Sequence, residues 1–170
     1  GAMSRAVYMA NNLSVDMGMF YKRRDYSRIV DGKNPIAAHE FLGADVAGKD
    51  MLIIDDMISS GDSVIDTCRM LKDRDARNIY ICATFGLFTN GMEKFDRAFE
   101  EKLFTKLITT NLIYQPQELL SRKYYVSCSM SKYIAYIIDH MNHDSSISHL
   151  LNPSERIQNV LKKFENNEEI

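Results

Sequence analysis

The sequence has no apolar run of the roughly 18 to 20 residues that a membrane-spanning helix needs, and no basic stretch leading through an apolar segment to a cleavage site. The expectation from these absences is a chain that is neither exported nor anchored. Charge of one sign is also missing, because 21 Lys and Arg stand against 23 Asp and Glu for a formal net charge of −2. Without a basic field, neither nucleic acid nor an anionic membrane surface is an expected partner, which leaves small molecules and protein. Cysteine is scarce. Cys68, Cys82 and Cys128 are an odd number without CxxC spacing, which argues against a disulfide framework and a zinc site and points to a reducing, cytoplasmic setting.

The 170 residues are 45% hydrophobic and 26% charged, the composition of one globular domain. Apolar runs rich in β-branched or aromatic residues recur as VDMGMFY (15–21), MLII (51–54), NIYICATF (78–85), FTKLITT (104–110) and KYYVS (123–127), and these read as strands. Helical spacing lies between them. Val64, Ile65, Cys68 and Leu71 repeat on one face, and so do Met130, Tyr133, Ile134, Ile137, Ile138 and Met141. The stripe over 130–141 is expected to be core. Residues 4–13 read as a helix with no strand before it, so the chain is expected to begin partway into a fold.

This alternation, with several strands lacking a polar face, predicts an α/β fold in which helices flank a parallel sheet on both sides. Ligands of such sheets bind beyond the carboxyl ends of the strands. The segment 24–48 has no clear periodicity and contains Gly32, Pro35, Gly43 and Gly48, so it reads as a long mobile loop. The domain is assigned to residues 1–151. Residues 152–170 begin Asn-Pro-Ser-Glu and read as a terminal helix with a frayed polar tail.

The chemistry concentrates in MLIIDDMISSGDS, residues 51–63. An apolar strand runs into Asp55 and Asp56, and then into Ser59, Ser60, Gly61, Asp62 and Ser63 at the start of a helix. Backbone N–H groups and hydroxyls at a helix N-terminus make an anion site, and Gly61 permits a backbone approach that a Cβ would obstruct. Two carboxylates upstream can accept hydrogen bonds from vicinal hydroxyls, so the stretch suits a pentose 5-phosphate. Asp62 beside an anion would repel it by about 1 kcal/mol if it pointed inward, so its carboxylate is expected to turn outward. The plainer alternative is that Asp55 ends the strand and Ser59 or Asp62 caps the helix.

The full stretch resembles the ribose-5-phosphate loop of type I phosphoribosyltransferase folds, with Ser60-Gly61-Asp62-Ser63 as its hydroxyl-Gly-x-hydroxyl part. Phe20-Tyr21-Lys22-Arg23-Arg24-Asp25 is similar to the strand and catalytic loop of the ribose-phosphate pyrophosphokinase family. Gly1-Ala2-Met3-Ser4-Arg5-Ala6 resembles that family's Gly-Gly-x-x-Arg-Ala, Ala83-Thr84-Phe85-Gly86-Leu87-Phe88 its Ala-Thr-His-x-x-Phe, and Thr109-Thr110-Asn111 its Thr-Asn pair. Asn142-His143-Asp144-Ser145-Ser146-Ile147-Ser148 resembles its closing helix and Ser-x-Ser turn. These matches run in order along nearly the whole chain.

The resemblance implies the carboxyl-terminal domain of a two-domain synthetase. In that family the diphosphoryl group of ATP, with Mg²⁺, passes to ribose 5-phosphate, giving phosphoribosyl pyrophosphate and AMP. It also implies an amino-terminal domain that supplies much of the ATP site, and assembly into a homo-oligomer. By carry-over, Lys22 and Arg24 are the catalytic cations, and residues 59–63 hold the 5-phosphate. Asp55 and Asp56 hold the ribose hydroxyls and take a share in Mg²⁺ through the substrate. Ser59 stands where the family usually has Asp, and Phe85 where it has His. Two alternatives stay open: a non-catalytic regulatory homologue, and a phosphoribosyltransferase, for which no segment remains to build a base-gripping hood. Of His39, His140, His143 and His149, the pair His140 and His143 has helical i, i+3 spacing, but no third ligand is suitably spaced for a metal site. Cys82 reads as a small buried hydrophobe.

Overall fold

Residues with helical or alternating apolar spacing form the elements of a computed structural model that describes residues 2–24 and 36–168, apart from the side chains of 22–24, 36–40 and 149. In chain order these are α1 (Met3–Leu13), β1 (Met19–Arg24), β2 (Ile36–Leu42), β3 (Met51–Ile58), α2 (Asp62–Lys72), β4 (Ile79–Gly86) and α3 (Glu93–Glu100). They are followed by β5 (Lys106–Thr110), α4 (Gln117–Leu120), β6 (Tyr125–Cys128), α5 (Ser131–Asn142), α6 (Ser148–Leu151) and α7 (Ser154–Glu165).

The strands β3, β4, β5 and β6 pair in parallel and in sequence order, with Ile53 beside Ile81, Ile81 beside Leu107, and Leu107 beside Tyr125. This is the α/β fold the alternation predicts. Parallel neighbours require crossovers, and α2 and α3 supply the first two while burying their apolar stripes on the sheet. Val64, Ile65, Cys68 and Leu71 of α2 and Phe95 and Ala98 of α3 are buried. They meet Ile79, Ile81 and Leu107 in one core. An aromatic cluster extends it, with Phe95 edge-on to Phe88 at 5.3 Å and Phe104 edge-on to Tyr124 at 5.2 Å. Each such ring contributes roughly 1.5–3 kcal/mol by leaving water.

The opposite face of the sheet is covered more thinly. There α1 lies against β3, leaving a cleft of about 420 Å³ lined by Arg5, Tyr8, Met9, Leu52, Ile54 and Cys82. The tail α7 packs back on α1, where Tyr8 Oη and Ser154 Oγ share a hydrogen bond at 2.8 Å and Gln158 Nε2 donates to Asn12 O at 2.7 Å.

Four expectations need correction. The segment 24–48 is not a loop throughout, because β2 pairs antiparallel with β1 and places Phe20 opposite Phe41. Residues 25–35, the remainder of the expected mobile loop, lie outside the described residues. The first strand starts at Met19 rather than at residue 15, since Gly18 and the polar 14–16 stretch precede it. The stripe over 130–141 is not core: α5 buries no residue, and Ile134, Ile138 and Met141 are exposed. Spacing marks an apolar face but not what covers it. Finally, β3 continues to Ile58, so the two aspartates lie within the strand.

Candidate functional site

Parallel pairing carries β3 past its apolar half, setting Asp55 beside Ala83 and Met57 beside Phe85. At the acids the strand is irregular, because the Asp56 amide donates to the Asp55 Oδ1 at 2.8 Å. The Asp55 carboxyl is half-buried, and that burial pushes its pKa above the ordinary aspartate value. Asp56 moves the other way. A hydrogen bond with the Asp55 side chain lowers its pKa, with a smaller contribution from Arg5, whose Nη1 lies 3.7 Å from Asp56 Oδ2. One acid is thus biased toward the protonated form and its neighbour toward the ionised form. Two adjacent carboxyl groups suit a pair of vicinal hydroxyls.

After Ile58 the chain turns into α2 through Gly61, the residue before the helix, which adopts φ +85°. A Cβ there would stand 2.4 Å from Phe95 Cζ. Gly61 is therefore required by the turn and by packing, in addition to any approach of an anion. The turn is clamped from the β4–α3 connection, where the Leu87 amide donates to Ile58 O at 2.8 Å and the Thr89 amide to Ser59 O at 3.1 Å. The first amides of α2 have no carbonyl four residues back within the helix, as at any helix start, and they follow Ser60 and Gly61 directly.

Asp62 is exposed, and its carboxylate is bonded both within the turn and to α3. Its Oδ2 accepts from Ser60 Oγ at 2.9 Å, and its Oδ1 is paired with Lys94 of α3. Lys94 cancels the charge that would oppose an anion here. No sequence signal marks it, because it comes from the next crossover. Arg5 could have been found, since it sits in a stretch already noted for resemblance.

The structure brings Asp55, Asp56 and Arg5 together, and separately Ser60, Asp62 and Lys94. Lys22 and Arg24 belong to the two-stranded sheet, with Lys22 paired to His39 and Arg24 to Ile36, and their side chains lie outside the described residues. Thr109 is buried and shares a hydrogen bond with Tyr125 Oη at 2.5 Å, while Asn111 Oδ1 accepts from the Met130 amide at 2.7 Å before α5. Thr109 ties β5 to the start of β6, and Asn111 ties the carboxyl ends of the two strands together.

Among the described residues no three His, Cys, Asp or Glu side chains gather as a metal-ion cage. Two adjacent carboxylates are nonetheless hard oxygen donors that fit Mg²⁺ when substrate oxygens and water complete its shell. His140 and His143 bond back to Tyr136 O and Asp139 O, each at 2.8 Å. Burial pushes the Cys68 thiol up to about 12 and raises Cys82 as well, which disfavours the thiolate form in both. No described helix is long and apolar enough to cross a membrane.

A parallel sheet whose acid-bearing strand runs through a glycine turn into a helix, with helices packed on it, defines a domain of the α/β class. The chain belongs to the family described as the phosphoribosyl synthetase-associated domain, which matches residues 26–152. It is 34% identical over 116 residues to the ribose-phosphate pyrophosphokinase of Mycoplasma genitalium, covering 68% of this chain and 33% of that protein. It is 35% identical over 111 residues to the enzyme of the same name from Thermococcus kodakarensis, covering 65% and 37%. For that of Vibrio parahaemolyticus, identity is 27% over 154 residues, or 89% and 46%. Its fold matches the crystal structure of phosphoribosylpyrophosphate synthetase from Mycobacterium smegmatis with a TM-score of 0.67 and 19% identity, over 84% of this chain and 42% of that one. The chain thus spans between a third and about half the length of these relatives.

Proposed function

We propose that this chain is the carboxyl-terminal, sugar-phosphate-binding domain of a ribose-phosphate pyrophosphokinase. The observation that carries the reading is the unbroken run from the Asp55–Asp56 pair through the clamped Gly61 turn into α2. In this reading residues 59–63 hold the 5-phosphate on the amides of the first helical turn, with Lys94 keeping Asp62 from opposing it. Asp55 and Asp56 accept hydrogen bonds from the ribose hydroxyls, and Arg5 holds Asp56 in place. Asp55 and Asp56 would hold Mg²⁺ by way of the substrate, and the ion would supply charge neutralisation on the phosphates.

The reaction moves the β,γ-diphosphoryl group of ATP. The anomeric oxygen bonds to the β-phosphorus, the bond from that phosphorus to the α,β-bridging oxygen breaks, AMP leaves with the electron pair, and the hydroxyl proton is released. Alignment and charge stabilisation are all that the protein must provide. Lys22 offers a point charge and Arg24 a forked pair of donors to the transferred group. ATP is held mainly by an amino-terminal domain, so this chain alone is expected to bind sugar phosphate without turnover, and assembly into a homo-oligomer goes with the reading.

A non-catalytic homologue is the second reading, favoured by Ser59 and Phe85, where the resemblance expects Asp and His. One experiment separates the two. AMP formation from Mg²⁺, ATP and ribose 5-phosphate is followed with this chain alone and joined to an amino-terminal domain of the same enzyme. AMP from the joined chain supports the first reading, and its absence, with ribose 5-phosphate still bound, supports the second.

A further inference from the structure

The helix α2 links two regions of the molecule. Its amino end follows the turn at 59–63, and just beyond its carboxyl end stands Arg74. Arg74 Nη1 donates to Met70 O at 2.9 Å, which fixes the guanidinium against the helix end. Its Cζ lies 5.9 Å from the ring centre of Phe20 and 5.8 Å from that of Phe41. These rings are register partners across β1 and β2, with their centres 5.0 Å apart, and both pack against the main core. The backbone closes tightly around them. A Cβ on Gly43 would stand 2.7 Å from the Gly18 Cα, and one on Gly18 would stand 2.4 Å from Phe41 Cζ.

We propose that Arg74 is a positioning residue: seated on Phe20 and Phe41, it fixes the base of the β1–β2 hairpin to the carboxyl end of the helix whose amino end holds the sugar phosphate. The hairpin carries Lys22 and Arg24 on β1, two and four residues past Phe20. The 11 residues of α2 span about 16 Å as a stiff rod, so the two ends keep a fixed separation. A guanidinium serves here because its planar fork carries several donors, so one N–H can bond the Met70 carbonyl while the cation faces the two rings, and Arg takes up such sites more often than Lys. The functional part of the inference rests on the reading of Lys22 and Arg24 given above; the anchoring itself does not.

The test uses hydrogen exchange on the 170-residue chain and two probes, inorganic phosphate for the turn and inorganic pyrophosphate for the transferred group. In Arg74→Ala the amides of β1 and β2 should exchange roughly three- to tenfold faster while those of β4 and β5 are unchanged, and Arg74→Lys should lie between. Pyrophosphate affinity should fall in Arg74→Ala and phosphate affinity should not. Unchanged exchange in β1 and β2, or equal acceleration in every strand, overturns the proposal. If exchange responds as expected but the unsubstituted chain binds pyrophosphate no better than phosphate, the anchor stands and the role given to Lys22 and Arg24 falls.

Discussion

Substituting Gly61 with alanine tests whether the turn before α2 is built by steric necessity. Two separate costs arise. At φ +85° an alanine is strained by roughly 1–2 kcal/mol, and the new Cβ would lie 2.4 and 2.5 Å from Phe95 Cζ and Cε2. Phe95 has no exposed surface and is held between Phe88 and Phe104, so it cannot swing clear, and overpacking of this kind costs about 1–3 kcal/mol. The sum is roughly 2–5 kcal/mol, a large part of the stability of an ordinary domain. At this chain length it corresponds to a fall in Tm of about 5–20 °C. Gly48 provides the control, because it has φ +69° with nothing within 4 Å of where a Cβ would stand, so Gly48→Ala should cost only the backbone strain. Calorimetry of both variants isolates the clash with Phe95. If Gly61→Ala melts no lower than Gly48→Ala, the packing argument is wrong. A Phe95→Leu change should also be less harmful in the Gly61→Ala background than in the parent chain.

Lys94→Ala should weaken inorganic phosphate binding about fivefold at low salt by leaving Asp62 uncompensated, and adding Asp62→Asn should restore it, as titration calorimetry can check. Asp96 is held by forked bonds from Arg122 at 2.8 and 3.0 Å and by Tyr124 Oη, so Asp96→Ala should lower the urea-unfolding free energy by roughly 1–3 kcal/mol. Arg122→Ala in that background should cost much less than it does alone. Asp50 is bonded by Arg77 and Asn78, chiefly the Arg77 guanidinium, which lowers its pKa from 3.8 to about 2. The stabilisation is therefore complete above pH 3.8 and is lost as pH falls through about 2. Accordingly, Asp50→Asn should lower the unfolding midpoint at neutral pH, and the difference should close in strong acid.

The core sheet was legible because its strands announce themselves twice, by β-branched runs and by helical spacing between them. Both α2 and β4 formed where those patterns lie. β2 escaped notice because Ile36-Ala37-Ala38-His39-Glu40 does not alternate, and residues 25–35 separate it from β1 in sequence. The extension of β3 through its acids was hidden for a different reason: aspartate is a poor strand former, and only the neighbouring β4 keeps Met57 and Ile58 extended. At the site, contiguous residues 55–63 could be read from the sequence. Lys94 could not, because it reaches Asp62 through the next crossover, and contact between separate crossovers leaves no mark in local spacing.

One further consequence follows from the position of β3. Among the described residues it is an edge strand of the parallel sheet, and Leu52 and Met57 on it are exposed. An open edge with the run Met51-Leu52-Ile53-Ile54 is a template on which another chain could add a strand. Asp55 and Asp56, placed directly after that run, act as gatekeepers, since a second copy laid along this edge in register would bring like charges together. The acid pair thereby has a bearing on solubility that is independent of any ligand, and neutralising both acids would be felt first as aggregation at high protein concentration.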